Sequence, residues 1–142
     1  MNAHETMARM QEDLRRVALG EMSQAHELAE LAGRGAEEML SDLKRWKAEG
    51  RIFSVEQDGA EYFPFYALDP GAGYRPYPFM AEVIRILYQT EGWSSGWALA
   101  AWFIGLNSFL DDQRPLDLLA LDPEWVIEAA RDAVETEQSP HG

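Results

Sequence analysis

The chain has 142 residues, 46% of them hydrophobic and 11% aromatic, enough for one domain or for two small lobes sharing a core. Its formal charge of −13 opposes nucleic-acid binding, where affinity rests on cationic contacts to phosphate, and favours a basic partner, although acidity also serves solubility alone. Cysteine is absent, which excludes a disulfide framework, a thiolate nucleophile and a cysteine metal site. The first ten residues carry no basic stretch followed by an apolar run, so no secretory signal is expected and a cytoplasmic setting is. The charge is uneven: residues 1–20 are neutral, whereas 93–142 hold nine acidic residues against two basic ones.

In chain order, residues 4–19 read as a first helix, with Met7, Met10, Leu14, Val17 and Ala18 at helical spacing and Gly20 as its stop. Ser23 reads as the N-cap of a helix over 24–32 that uses Leu28, Leu31 and Ala32 as apolar contacts. Gly33 fits the left-handed position that closes it. After a Gly-Arg-Gly turn, a third helix over 36–48 carries Met39, Leu40, Leu43 and Trp46, and Gly50 closes it.

Helix, glycine turn, helix is the layout of a helix-turn-helix, and of any packed helical hairpin as well. The cations that would meet phosphate are Arg34, Lys44, Arg45, Lys47 and Arg51. Glu37 and Glu38 stand at the head of the second helix, where they would repel it.

Asp58-Gly59, between alternating apolar residues, predicts a β-hairpin within 52–67, because a type I′ turn needs positive φ at both central positions. That register sets Gln57 opposite Ala60, Val55 opposite Tyr62 and Ile52 opposite Phe65. Pro64 cannot donate to a ladder, so its strand is an edge or ends there. The hairpin reads equally as a wing or as a ribbon that packs aromatic residues on the core; its tip is acidic, with Glu56, Asp58 and Glu61.

Residues 69–76 fall in a proline- and glycine-rich linker. A helix over 77–90 follows, with Phe79, Met80, Val83, Ile84 and Leu87 inward and Gly92 closing it. The run from 92 to 110 carries no charge and holds Trp93, Trp97 and Trp102. A helix over 94–106, capped by Ser94 or Ser95, would be apolar all round and therefore buried in the core or against another protein. Trp97, Leu99 and Trp102 are expected to be mostly buried, and Leu106 to lie on the same covered side as Leu99 and Phe103. At about 13 residues, it is too short for a membrane span. Pro115 starts a helix over 115–121. Asp122-Pro123-Glu124 starts the last, over 123–136, with Val126, Ile127, Ala130 and Val134 on its apolar face and a loose tail over 137–142.

Nothing in the chain points to catalysis. His4, His26 and His141 have no metal-site spacing. No glycine-rich phosphate loop, Gly-x-Ser-x-Gly elbow or His-Glu-x-x-His motif is present. Asp111-Asp112 reads as a solvated turn. No enzyme activity and no cofactor are expected.

Trp102-Phe103, Asn107, Leu110, Arg114-Pro115-Leu116, Leu118-Leu119, Asp122-Pro123, Val126 and Ala129-Ala130 follow one another in an order that resembles the C-terminal toxin-binding domain of Xre/MbcA/ParS-type antitoxins. The preceding Gly-Arg-Ile-Phe-Ser-Val segment, the hairpin and Phe63-Pro64-Phe65 are similar to members of that family too, so the resemblance covers about 22–135. Two departures stand out: Leu106 where the family often has proline, and Asp111-Asp112-Gln113 where it often has a glycine-rich turn.

The resemblance implies an antitoxin-like protein that covers the active-site entrance of a RES-type, NAD-consuming toxin. Such antitoxins commonly repress their own operon through the N-terminal half. The alternative is a DNA-binding transcriptional regulator with no toxin partner. The partner-binding positions that carry over are Trp102, Asn107, Leu110, Arg114, Pro115 and Leu119, most of which serve folding as readily as contact. Arg114 is the one expected in an exposed role, or else paired with Asp111, Asp112 or Asp117. The expected fold is mainly α: a helix-turn-helix-like lobe with a hairpin (1–68), a linker (69–76), a helical toxin-binding-like domain (77–136) and the tail. Operator binding is expected to be weak for a monomer and to require a homodimer or a toxin–antitoxin assembly.

Overall fold

The computed structural model describes residues 2–138. Seven α-helices carry the fold: α1 (Ala3–Leu19), α2 (Ala25–Ala32), α3 (Ala36–Ala48), α4 (Pro78–Leu87), α5 (Gly96–Ile104), α6 (Pro115–Leu118) and α7 (Pro123–Gln138). Five short strands accompany them: β1 (Met22–Ser23), β2 (Val55–Gln57), β3 (Ala60–Pro64), β4 (Leu68–Asp69) and β5 (Arg75–Pro76). The result is mainly α with small antiparallel sheets. α7 runs through Gln138, so Glu137 and Gln138, expected in a loose tail, are helical. Residues 139–142, and with them His141, lie outside the described residues.

The hairpin turns as its sequence requires. Asp58 and Gly59 have φ of 53° and 79°, and Val55–Tyr62 and Gln57–Ala60 pair in the expected register. Ile52 does not pair with Phe65, because the ladder stops at Val55 and Phe65 enters a 3₁₀ turn. β3 is no edge. β1 pairs along its far end, Met22 with Pro64 and Ser23 with Phe63, making a three-stranded sheet in the order β1-β3-β2. Pro64 is tolerated because the strand ends there. Ser23 is therefore a strand residue, and the N-cap of α2 is Gln24, whose N–H donates to Glu27 at 2.8 Å.

Glycines close α2 and α3 as expected. Gly33 (φ 65°) and Gly50 (φ 74°) are left-handed, and each lets the next N–H reach back to the last turn: Arg34 to Ala29 at 2.9 Å and Arg51 to Trp46 at 2.8 Å. The proline-rich stretch is more ordered than a linker. β4 and β5 pair across it, the N–H of Gly71 donates to Asp69, and Tyr74 takes a left-handed φ of 60°. α4 stops at Leu87 with Tyr88 as its C-cap, well before Gly92, which belongs to a 3₁₀ turn at Glu91–Trp93.

The core is continuous through both halves of the chain. α5 sits at its centre, with Leu99, Ala100, Trp102, Phe103 and Ile104 buried and Ser95 capping Ala98 N–H at 3.1 Å. Phe103 is its hub: Phe53 stacks on it at 5.9 Å, Tyr66 meets it at 5.5 Å and Trp102 stands edge-on at 5.0 Å. Gly96 lies so close to the 54–55 segment that a Cβ there would collide with the Ser54 carbonyl oxygen. α4 packs on α7, which buries Val126, Ile127, Ala129, Ala130 and Val134.

α1 covers the remaining side of α5, with the Arg15 guanidinium 4.9 Å above the Trp97 ring, so Trp97 is half-buried beneath it. The apolar spacing of α1 does not mark its buried face. Ala18 is inward, but Met7, Met10, Leu14 and Val17 are exposed because the helix touches α5 only along one edge. Leu31 is exposed for a related reason: α2 buries Leu28 and Ala29 instead.

Candidate functional site

The segment from Gly105 to Arg114 is held by its own hydrogen bonds. Asn107 is the organiser. Its N–H donates to the Gln113 carbonyl (3.1 Å), its carbonyl accepts from Asp112 N–H (2.9 Å), and its Oδ1 accepts from Phe109 N–H (3.0 Å). Gln113 Nε2 donates to the Leu110 carbonyl at 3.2 Å, and Leu110 is fully buried. Asp111 and Asp112 both take left-handed conformations (φ 56° and 62°), so the turn has a glycine-like shape built from aspartates, whose short polar side chains tolerate that region.

With Asn107 and Leu110 fixed, the loop turns two large apolar side chains outward. Leu106 is 76% exposed and Phe109 38%. The expectation that Leu106 lies on the covered side fails because α5 ends at Ile104 and the chain turns away at Gly105.

Beside the loop runs an open groove of about 380 Å³, lined by Trp93, Trp102, Leu106, Asn107, Asp132 and Glu137 among others. The Trp93 indole N–H is buried and has no hydrogen-bond acceptor. Of the six residues singled out from the sequence, Trp102, Leu110, Pro115 and Leu119 are buried and hold the loop and α6 in place, while Asn107 and Arg114 are half-buried.

Arg114 is the N-cap of α6. Its guanidinium forks onto Asp117, with Nε to Oδ2 at 2.9 Å and Nη2 to Oδ1 at 3.1 Å, and reaches Glu21 at 3.5 Å. The Asp117 hydrogen bonds, with the charges of Asp117 and Glu21, outweigh partial burial and raise its pKa further above the ordinary value. Of the three intramolecular pairings weighed for Arg114, the one formed is with Asp117. The contact to Glu21, 93 positions away, ties this loop to the β1 region.

The N-terminal cations are largely committed to carboxylates. Arg34 binds Glu38 and Asp42, Arg45 binds Asp42 at 3.0 Å, Lys47 binds Glu61 at 2.9 Å, and Arg51 stands 3.5 Å from Glu49. Lys44 makes no ion pair among the described residues, but its charge helps to stabilise Glu61. The hydrogen bond from Arg34, with the charges of Arg34 and Arg45, outweighs burial and holds the Asp42 carboxyl below its ordinary range. Burial pushes Glu61 up, but hydrogen bonds from Ser54 (2.6 Å) and Lys47 and the charges of Lys47 and Lys44 outweigh it, so Glu61 also titrates low.

Arg75, which the sequence reading passed over, belongs beside this group. It lines the same cleft as Arg34, Arg45 and Arg51. Asp69-Pro70-Gly71 announces a turn, but the β4–β5 pairing that brings Arg75 across to α3 rests on two residues a side and leaves no pattern to read.

His4 and His26 are exposed and far apart in sequence, and no three His, Asp or Glu side chains among the described residues gather as metal ligands would. No described helix is long and apolar enough to cross a membrane. No family model matches the chain, nor does any curated protein or solved structure.

Proposed function

We propose that this is an antitoxin-like protein that binds and neutralises a RES-type, NAD-consuming toxin in the cytoplasm, and does so by occlusion rather than by catalysis. The observation that carries the reading is the Gly105–Arg114 loop. It is fixed in shape by Asn107 and Leu110, yet it displays Leu106 and Phe109 to solvent beside a groove lined by Trp93, Trp102, Asp132 and Glu137. A rigid loop with exposed apolar residues loses little conformational freedom on docking, and covering Leu106 and Phe109 would remove apolar surface from water. The acidic flank suits a partner with basic residues around its entrance. The loop also coincides with the stretch of sequence that resembles toxin-binding domains.

Autoregulation is the second element of the proposal. α2 and α3 pack as a helical pair with the hairpin beside them, a layout compatible with a winged DNA reader. The ion pairs of Arg34, Arg45 and Lys47 leave few cations for phosphate, so operator binding belongs to a homodimer or a toxin–antitoxin assembly that doubles the contacts. A regulator without a toxin partner would rest on the same helices.

The test is co-expression with a RES-type toxin, reading cellular NAD and co-purification. The wild-type chain is expected to preserve NAD and to co-purify. The L106D/F109D double variant, with an unchanged circular dichroism spectrum, is expected to do neither. A wild-type chain that neither retains nor restrains any such toxin sinks the proposal.

A further inference from the structure

An open cleft of about 820 Å³ lies between α3 and the turn joining β4 to β5. Four arginines line it, Arg34, Arg45, Arg51 and Arg75, against the carboxylates of Glu38 and Asp42. It is a local excess of positive charge on a chain whose formal charge is −13.

The guanidinium groups divide the work. Arg34 is committed to its own neighbours, with Nη2 on both Glu38 and Asp42 and Nη1 3.4 Å from Met39 Sδ. It consumes most of the negative charge. Asp42 also steadies Arg45, whose Nη1 stands 3.0 Å from it. Arg51 Nη1 stands 3.5 Å from Glu49. Arg75 makes no ion pair or side-chain hydrogen bond among the described residues. Arg45 and Arg51 are both held against the Trp46 ring, at 6.0 and 5.9 Å from its centroid, which restricts two otherwise mobile side chains.

We propose that this cleft binds a small, multiply charged oxyanion of the phosphate class. Three guanidinium groups with free, planar donors are the residue type that recognises such an anion through several directed hydrogen bonds. Trp46 is 3% exposed and covered by the arginines, so no aromatic face is open for a base to stack on. Charges are screened beyond about 8 Å at physiological salt. At that range a small anion senses the four arginines together with the three carboxylates paired to them, Glu38, Asp42 and Glu49, a balance that stays positive. A nucleic-acid backbone would extend beyond the cleft, over a chain whose formal charge is −13. The site stands whether or not the chain has a toxin partner.

The experiment is calorimetric titration of the full-length protein in chloride buffer with inorganic pyrophosphate and with inorganic phosphate, alongside the Trp46 indole N–H resonance. Saturable one-to-one binding that shifts Trp46 is expected. R75A and R45A are each expected to weaken it roughly ten-fold, the loss that accompanies a charge-assisted hydrogen bond. R75A removes an exposed side chain with no partner, so its fold is expected to be intact. Three results would overturn the proposal: no saturation by about 10 mM, a level equivalent to negligible affinity; unchanged binding in both variants; or a duplex oligonucleotide that binds more tightly than pyrophosphate and is lost with the same substitutions.

Discussion

Gly96→Ala sets two effects of opposite sign against each other. Gly96 is the first residue of α5, and helix propensity alone favours alanine over glycine by about 0.8–1 kcal/mol in a helix interior, less in a first turn. Against this, a Cβ at Gly96 collides with the Ser54 carbonyl oxygen, lies 3.1 Å from the Ser54 carbonyl carbon and touches Val55 Cγ1 at 3.5 Å. The obstacle is backbone, and it cannot swing aside. Ser54 is buried, its hydroxyl holds Glu61, and Val55 begins β2, so α5 or the sheet must shift as a body. Overpacking of a close-packed contact costs about 1–3 kcal/mol, and a backbone obstacle puts this site at or above the upper end. The net loss is about 2 kcal/mol or more, a fall in Tm of roughly 6 °C or more for a chain of this length. Thermal unfolding followed by circular dichroism reads it directly. Gly35→Ala is the control. Its added Cβ meets nothing within 4 Å and its φ of −67° suits any residue, so the loss should be only that of replacing glycine by alanine at the N-cap of α3, about 0.5–1 kcal/mol and short of the loss at Gly96. If G96A melts at or above the wild-type temperature, the close approach of α5 to the Ser54 backbone is not a real constraint.

Three further outcomes are expected. Asp42 and Glu61 titrate below their ordinary values of 3.8 and 4.5, so the folded state binds their protons less readily than the unfolded chain does. The stability they contribute is complete above those values and is lost as pH falls through and below them, and D42N or E61Q should flatten the acid limb of a urea-midpoint-against-pH curve. Arg114→Ala should cost about 1 kcal/mol or less in chemical denaturation, because its Asp117 and Glu21 pairs are half-exposed; a much larger loss would mean that the tie to β1 holds the fold together. In an anisotropy titration against its own upstream DNA at physiological salt, the isolated chain should bind weakly or not at all. Tight, salt-resistant binding by the monomer, abolished by charge reversal at Lys44 and Arg45, would contradict the ion-pair accounting.

Sequence signals were reliable where a single residue dictates the backbone. Gly33 and Gly50 stop their helices, Asp58-Gly59 turns the hairpin in its register, Ser95 and Asp122 cap α5 and α7, and Pro115 opens α6. They failed where the outcome depends on what lies across from an element. β1 is two residues long and exists only because β3 offers it a free edge. The stripe of Met7, Met10, Leu14 and Val17 has helical spacing, but nothing among the described residues covers it. At the candidate loop, the order of Asn107, Leu110 and Arg114 was legible, and so was the possibility that most of the six residues serve folding. The outward turn of Leu106 was not, since it follows from where α5 stops. Arg75 escaped notice because its neighbours in the cleft come from α3 and are distant in sequence.

The central position of α5 has a consequence for synthesis. Ala18, Phe53 and Val55 belong to the first half of the chain, yet their cover includes α5, which ends at Ile104. At translation rates of roughly 5–20 residues per second, α1 waits about 4–17 s on the ribosome before the helix it packs against has been made. During that interval Phe53 lacks the ring it will stack on, and the Trp97 that will lie under Arg15 does not yet exist. The nascent chain therefore carries an incomplete core until α5 has been made. Slowing elongation within 60–100 would lengthen that exposure and favour capture by chaperones or aggregation, without altering a single residue of the finished protein.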